Sequence, residues 1–454
     1  MEKILEKQRV FFKSGKTLDI KFRISYLKKL KDVIKKREND IKNVLHKDLG
    51  KSSFESYMCE IGLTLSEINY FIKNLKKLSK EKKVKTPLTN FYSKSLIKFV
   101  PRGNTLIISP WNYPFLLSIE PLVDSLSAGN TVILKPSAYS PNTSGIVKEI
   151  TDEIFPEDYI KTITGGREEN KNLLSLNFDF VFFTGSKNVG REVLRKCAEN
   201  LTPAVLELGG KSPCIVDKTA DIKLSAKRIV FGKFLNCGQT CVAPDYICCD
   251  KEIKDELLKE IKYQIKAQFG ENPLQNEDYG KIISKKHFSR IINLIDKNKV
   301  IFGGEFLSES LKIEPTIMDN VNWEDGIMKE EIFGPVLPVL DYENLDDVIN
   351  IINSHSHPLA LYIFSENKSN IAKTLAGCRF GGGCVNDVVV HLAGNEMPFG
   401  GFKESGMGVY HGKFGFETFS HQRSILDKKN WIDLNIRYQP YKKIYEKLVK
   451  LILN

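Results

Sequence analysis

The sequence predicts an α/β fold, a doubly wound, Rossmann-like parallel sheet followed by a second α/β unit. Three observations carry that prediction. From residue 105 onward, short β-rich runs alternate with helical ones. Runs such as TVIL and FDFVFF are almost continuously apolar, as expected of parallel strands covered on both faces. The doublet Gly209-Gly210 then interrupts the rhythm, and a second alternation begins behind it.

Taken in order, residues 25–40 read SYLKKLKDVIKKREND, and Ile34, Ile41, Val44 and Leu45 keep a helical apolar stripe whose opposite face is lysine-rich. TLIIS is the first strand of the sheet, FLLSIEPLVDSLSAG its helix and TVILKP the second strand, with a helix to Phe155. YIKTIT, a short helix through Leu174, FDFVFFTGS, a helix from Asn188 to Asn200 and AVLEL complete the first unit. No G-x-G-x-x-G follows its first strand. Residues 1–85 and 106–208 make up this unit, and 209–393 the second. The second unit runs from KSPCIVD through helices at Asp221–Phe234 and Ile253–Ala267 to strands near Ile301, Pro335 and Leu361. Segments 86–105 and 415–430 fall outside both. The tail, 431–454, reads as an amphipathic helix with Ile444, Leu448 and Leu451 on one side.

The composition excludes several classes. A chain of 454 residues with ordinary apolar and charged fractions is a globular protein of two or three domains. Its net charge of +11 comes from lysines interspersed with acids, which is a solvated face and not a nucleic-acid stripe. Nine cysteines without disulfide-framework spacing, behind an N-terminus MEKILEKQRV that has no apolar core, point to a reducing cytoplasm. The longest apolar stretch, Thr105 to Val123, is broken by Pro110, Asn112, Pro114, Glu120 and Pro121, so no stable membrane insertion is expected.

Two segments carry chemistry. FLNCGQTCVA (234–243) presents a thiol at Cys241 beside Gly238, which permits an unusual turn, whereas Cys248 and Cys249 lie in the strand-like YICC. Cys237, four residues before Cys241, is the only nearby rival. LELGGKSP (206–213) places a carboxylate, Glu207, at the end of an apolar strand. A nucleophilic thiol with a carboxylic base can make and then hydrolyse a thioester. Thiol attack on a carbonyl builds an oxyanion, and Asn112 in PWNYP offers it an amide donor. The Cys241 main-chain N–H is a second, such donors being worth roughly 3 to 4 kcal/mol each. No second cysteine pair or histidine stands at ligand spacing near Cys241, and His355 and His357 alternate without a third ligand, so no metal is expected.

With PWNYP, KPS (135–137), FTGS (183–186), EEIFGPV (330–336), PFGGFKESGMG (398–408) and YHGKFGFETFSH (410–421), these segments resemble an aldehyde dehydrogenase across most of the chain. APDY (243–246) is similar to its class 3 branch. The resemblance implies NAD(P)-dependent oxidation of aliphatic or aromatic aldehydes to carboxylic acids, with Cys241 as nucleophile, Glu207 as deacylating base and Asn112 as oxyanion donor. It implies NAD or NADP held by Gly185, Ser186 and Gly190 at the pyrophosphate. Lys135 and Ser137 fall at the adenine ribose, Glu331 at the nicotinamide ribose, and Phe333 packs against it. Tyr113, Leu116, Phe231, Leu392 and Phe399 are implied in an apolar substrate pocket, and His411 is taken as structural. The outlying segments are implied to form a small oligomerisation sheet in a homodimer. One departure stands out: KPSA replaces the family's K-P-S-E, and Ala138 removes a carboxylate that would repel a 2′-phosphate. A CoA-acylating relative, for which Glu207 would be superfluous, and a catalytically silent binding protein are the alternatives.

Overall fold

Asn104–Ile108 is the pivot of the first sheet, pairing in parallel with Thr131–Lys135 on one side and Phe180–Gly185 on the other. The computed structural model describes residues 1–453. Outward from the pivot the sheet continues to Ile160–Thr162 on one side and to Ala204–Leu208 on the other. Chain order thus reverses at Asn104–Ile108, and such a switch point opens a crevice beyond the carboxyl ends of the strands. Ser109–Pro114, Ser186 and Glu207 all lie at that edge.

Most strand residues of this sheet are fully buried, as their unbroken apolar runs require. One face packs against helices Ile20–Lys36, Glu38–Leu49 and Gly62–Leu78, where Ile34, Ile41 and Leu45 join Phe71, Ile107 and Val132 in a single core. The lysines of that stripe remain at the surface.

The second sheet has seven strands in the order Val300–Phe302, Thr316–Met318, Val336–Tyr342, Tyr246–Asp250, Pro213–Val216, Ala360–Phe364 and Gly382–Val385. All pair in parallel except the first. Both α/β alternations therefore appear as the patterning predicts.

Three boundaries differ from the sequence reading. Asn104–Ile108 belongs to the first sheet although the sequence places the outlying segment up to 105, while Lys82–Val84 leaves the first unit to pair with Ser93–Pro101. The latter pairs with Ser420–Lys428 in a three-stranded antiparallel sheet. Gly406–Met407, in a stretch too short and glycine-rich to read as a strand, returns to the first sheet and pairs antiparallel with Glu207 and Leu206. Among the described residues the tail forms a 3-10 turn at Asn435–Arg437 and an α-helix at Lys443–Leu453, where Leu451 is 81% exposed and the apolar side of the helix touches no core. No helix among the described residues is long and apolar enough to cross a membrane.

The loop that carries Cys241 follows helix Ile222–Phe234, whose N-terminus is capped by the Asp221 side chain accepting from Leu224 N–H at 3.0 Å. Past Phe234 the chain turns through three left-handed residues, Asn236, Cys237 and Gly238, with φ of 51°, 52° and 72°. Only the glycine announces that turn in the sequence. A Cβ at Gly238 would lie 2.3 Å from the Gly334 carbonyl oxygen, so no other residue fits. Tyr362 Oη then donates to the Val242 carbonyl at 2.6 Å and fixes the loop on the second sheet.

Candidate active site

Between the two sheets lies a cavity of about 680 Å3, and Cys241, Glu207 and Asn112 all line it. Each arrives from a different segment. Cys241 comes from the loop before Tyr246–Asp250, Glu207 from the carboxyl end of Ala204–Leu208, and Asn112 from the turn after Asn104–Ile108.

Asn112 is 3% exposed and held on both sides. Its Nδ2 donates to the Gln239 carbonyl at 3.1 Å, and its own main-chain carbonyl accepts from Asn236 Nδ2 at 2.8 Å and from Lys51 Nζ at 3.0 Å. One amide proton of Asn112 is therefore spent on the loop that carries Cys241, and the other remains for a group in the cavity. Gln239 is itself pinned: Nε2 donates to the Asn236 and Lys281 carbonyls, and Oε1 accepts from Ile283 N–H, each at 3.0 Å.

Cys241 is half-buried. Burial, together with the carboxyls of Glu331 and Glu207, pushes its thiol up to about 12, while its own main-chain N–H and that of Val242 act in the opposite direction. Cys237 is fully buried, does not line the cavity, and meets Tyr279 instead. Glu207 is 3% exposed and neither carboxyl oxygen has a hydrogen-bond partner. Burial alone raises it well above the usual carboxylate range.

Glu331 and Phe333 line the same cavity, on a loop that Arg290 clamps through the Glu331 and Ile332 carbonyls at 3.2 and 2.5 Å. Phe333 lies edge-on to Trp111, with ring centroids 5.3 Å apart. Burial and Asp245 push Glu331 up to about 8. Gly185 and Ser186 also line the cavity, ahead of helix Lys187–Glu199. Gly190 does not: a Cβ there would lie 2.7 Å from Leu208 Cδ2, so this glycine lets the helix approach the strand. Lys135 and Ser137 stand away from the cavity at the end of Thr131–Lys135. The Lys135 ammonium is buried, donating to the Pro136 and Gly165 carbonyls at 2.9 and 2.7 Å. Burial lowers it to about 8. Ser137 is half-buried, and its hydroxyl accepts from Tyr139 N–H at 3.2 Å.

Tyr113, Leu116, Phe231, Leu392 and Phe399 all line the apolar end of the cavity. Sequence reasoning missed Met58, Cys59 and Leu63, which complete this wall from the N-terminal helices. It also missed Arg290, and it set aside His411, which lines the cavity and stacks on Phe399 at 5.2 Å. No local motif marks the first three, since an apolar helical residue reads as core. His355 and His357 part company: the first packs on Trp323 and the second pairs with Glu404 at 2.6 Å. Among the described residues no group of three His, Cys, Asp or Glu is placed to hold a metal ion.

A family model described as the aldehyde dehydrogenase family matches residues 1–425. The 4,4'-diaponeurosporen-aldehyde dehydrogenase of Staphylococcus aureus is 46% identical over 436 residues, covering 96% of this chain and 95% of that one. A dimeric NADP-preferring aldehyde dehydrogenase of Canis lupus familiaris is 41% identical over 443 residues, covering 97% and 98%. The solved substrate-bound state of Staphylococcus aureus AldH superposes with a TM-score of 0.98 at 45% identity, covering 100% of this chain and 99% of that one.

Since a thiolate and not a thiol is the attacking species, the high-lying Cys241 makes a measurable prediction. Alkylation of Cys241 by iodoacetamide in the cofactor-free chain should rise about tenfold per pH unit from pH 7 to 9 without levelling. Peptide mass spectrometry of timed samples reads this rate, and a plateau near pH 8.5 would mean an ordinary thiol.

Proposed function

The chain belongs to the aldehyde dehydrogenase family and oxidises aldehydes to carboxylic acids with NAD or NADP as acceptor, and we propose that Cys241, Glu207 and Asn112 divide that reaction among them. The observation that carries the proposal is their convergence on one cavity at the carboxyl edge of a switch-point sheet. Once the Cys241 thiol has given its proton to solvent, the Sγ thiolate attacks the aldehyde carbon, and the carbonyl π electrons move to oxygen to form the thiohemiacetal oxyanion. The free N–H of Asn112 Nδ2 and the main-chain N–H of Cys241 stabilise its oxyanion with dipoles, which leaves no cation to trap the thiolate. Loss of hydride turns the adduct into a thioester on Cys241. Glu207, with both oxygens unpartnered, takes a proton from water, which attacks the thioester and releases the acid and the free thiol. A base of this kind has no task in transfer to coenzyme A, which disfavours the acylating alternative.

The residues around the cavity fit a dinucleotide. Helix Lys187–Glu199 begins at Ser186 with no side-chain cap, so its first N–H groups and positive dipole end are free for a pyrophosphate, flanked by Lys187 and Arg191. Glu331 is assigned to the nicotinamide ribose, with Phe333 against the ring, and Lys135 and Ser137 to the adenine ribose; Gly185 admits the pyrophosphate and Gly190 seats the helix. A nicotinamide held by these residues would supply the acceptor for the hydride.

Tyr113, Leu116, Phe231, Leu392 and Phe399 form an apolar wall suited to medium or long aliphatic or aromatic aldehydes, and the diaponeurosporen-aldehyde relative supports that choice. We assign the three-stranded sheet, exposed along Ser420–Lys428, to a homodimer interface, as the dimeric relative supports. The nine cysteines, all free, suit a cytoplasmic setting.

Two predictions test the assignments. Cys241→Ser should abolish reduced cofactor in the first turnover, whereas Glu207→Gln should give a burst of about one equivalent and then stall, because acylation precedes the base's task. Rapid-quench absorbance at 340 nm separates the two, and a missing burst in Glu207→Gln would assign Glu207 to thiol activation. With Ala138 in place of an acid, kcat/KM for NADP should lie within about tenfold of that for NAD, some 1.4 kcal/mol. Ala138→Glu should shift preference toward NAD, and a wild-type enzyme that rejects NADP far more strongly would show that another group guards the ribose.

A further inference from the structure

Lys51 and Glu60 form an ion pair 2.5 Å long in which both side chains are completely buried. A buried pair of this kind is a poor device for stability, since apolar residues of similar volume often serve as well or better. Its remaining hydrogen bonds all end on one short segment, the turn that carries Asn112. Lys51 Nζ donates to the Asn112 carbonyl at 3.0 Å, and Glu60 Oε2 accepts from the N–H groups of Phe115 and Leu116 at 2.8 and 3.2 Å. Those two N–H groups open helix Leu116–Ala128, so the carboxylate also sits at the positive end of its dipole. The Lys51 ammonium lies 4.0 Å from the centroid of the Tyr113 ring, whose hydroxyl meets Thr240 Oγ1 at 2.6 Å beside Cys241. Glu60 itself stands on a π-helical turn, Tyr57–Ile61, an extra residue in the helix of the kind found at functional sites.

Two prolines, Pro110 and Pro114, deprive this turn of main-chain donors, and it has no strand or helix of its own to hold it. Its placement therefore depends on partners outside it. We propose that Lys51 and Glu60 are positioning residues that set the Asn112 amide against the nucleophile loop, making the N-terminal helical segment part of the acylation machinery. The inference rests on the reading of Asn112 as the oxyanion donor.

The test compares Lys51→Met, Lys51→Met/Glu60→Gln, Asn112→Ala and Lys51→Met/Asn112→Ala in the full-length enzyme. Two rates are read for each: the first-turnover burst of reduced cofactor, and alkylation of Cys241 by iodoacetamide, a displacement that forms no oxyanion. Loss of the pair should slow the burst at least about tenfold while leaving alkylation within about threefold. On the Asn112→Ala background, Lys51→Met should cost no more than about a further threefold, because its effect passes through the missing amide. An equal loss on both backgrounds, a parallel loss of alkylation or an unchanged burst would each overturn the proposal. The double-charge variant leaves no unpaired ion and carries the test if Lys51→Met fails to fold; failure of both to fold would assign the pair to stability alone and overturn the proposal. An unimpaired burst in Asn112→Ala would instead remove the oxyanion reading on which the inference stands.

Discussion

The main-chain carbonyl of Asn112 takes hydrogen bonds from Asn236 at 2.8 Å and Lys51 at 3.0 Å, and around that one oxygen three parts of the chain are tied together. Asn236 belongs to the nucleophile loop, Lys51 to the N-terminal helices and Asn112 to the edge of the first sheet. Every one of these side chains is buried, so each must find partners inside the protein or leave a costly orphan. Their hydrogen bonds to one another satisfy them in an arrangement in which Asn112 and Cys241 face one cavity. The placement of Asn112 against the Cys241 loop thus follows from the need to satisfy interior polar groups.

The same burial governs charge. Cys241, Glu207 and Glu331 are acids sharing one poorly solvated space, and each is raised above its ordinary range mainly by desolvation. Ionising one opposes ionising the next. His411 on the cavity wall is lowered to about 3 by burial and adds no cation. The apolar wall around Tyr113, Leu116 and Phe399 suits an uncharged aldehyde, and the charge that develops during reaction meets fixed dipoles there.

Much of this was legible in the sequence, for identifiable reasons. Continuous apolar strands and their helices fix the doubly wound sheet because burial on both faces leaves a pattern that composition cannot hide. Glu207 and Asn112 stand out because each follows an apolar run and lies two residues from a glycine or proline, where a chain turns, and Cys241 because polar residues and Gly238 surround it. The remainder depends on contacts between segments far apart in sequence. Lys51 and Glu60 look like two ordinary charged residues of a helical region; only the fold shows that no solvent reaches them. The left-handed turn at Asn236 and Cys237 is hidden because neither residue type demands it, and tertiary packing imposes it. Gly190, read as a phosphate contact, packs its helix close against Leu208, which its motif does not announce because a motif gives spacing and not direction.

The central claim is that one thiol carries the substrate while the amide beside it and the carboxylate across the cavity work on the adduct. Mass mapping of the protein quenched during turnover of Glu207→Gln with an aliphatic aldehyde and NAD tests it most directly. The account predicts an acyl mass on the peptide containing residues 234–243, located at Cys241 by fragmentation. An acyl group on Cys237, or none anywhere after reduced cofactor has formed, would contradict it.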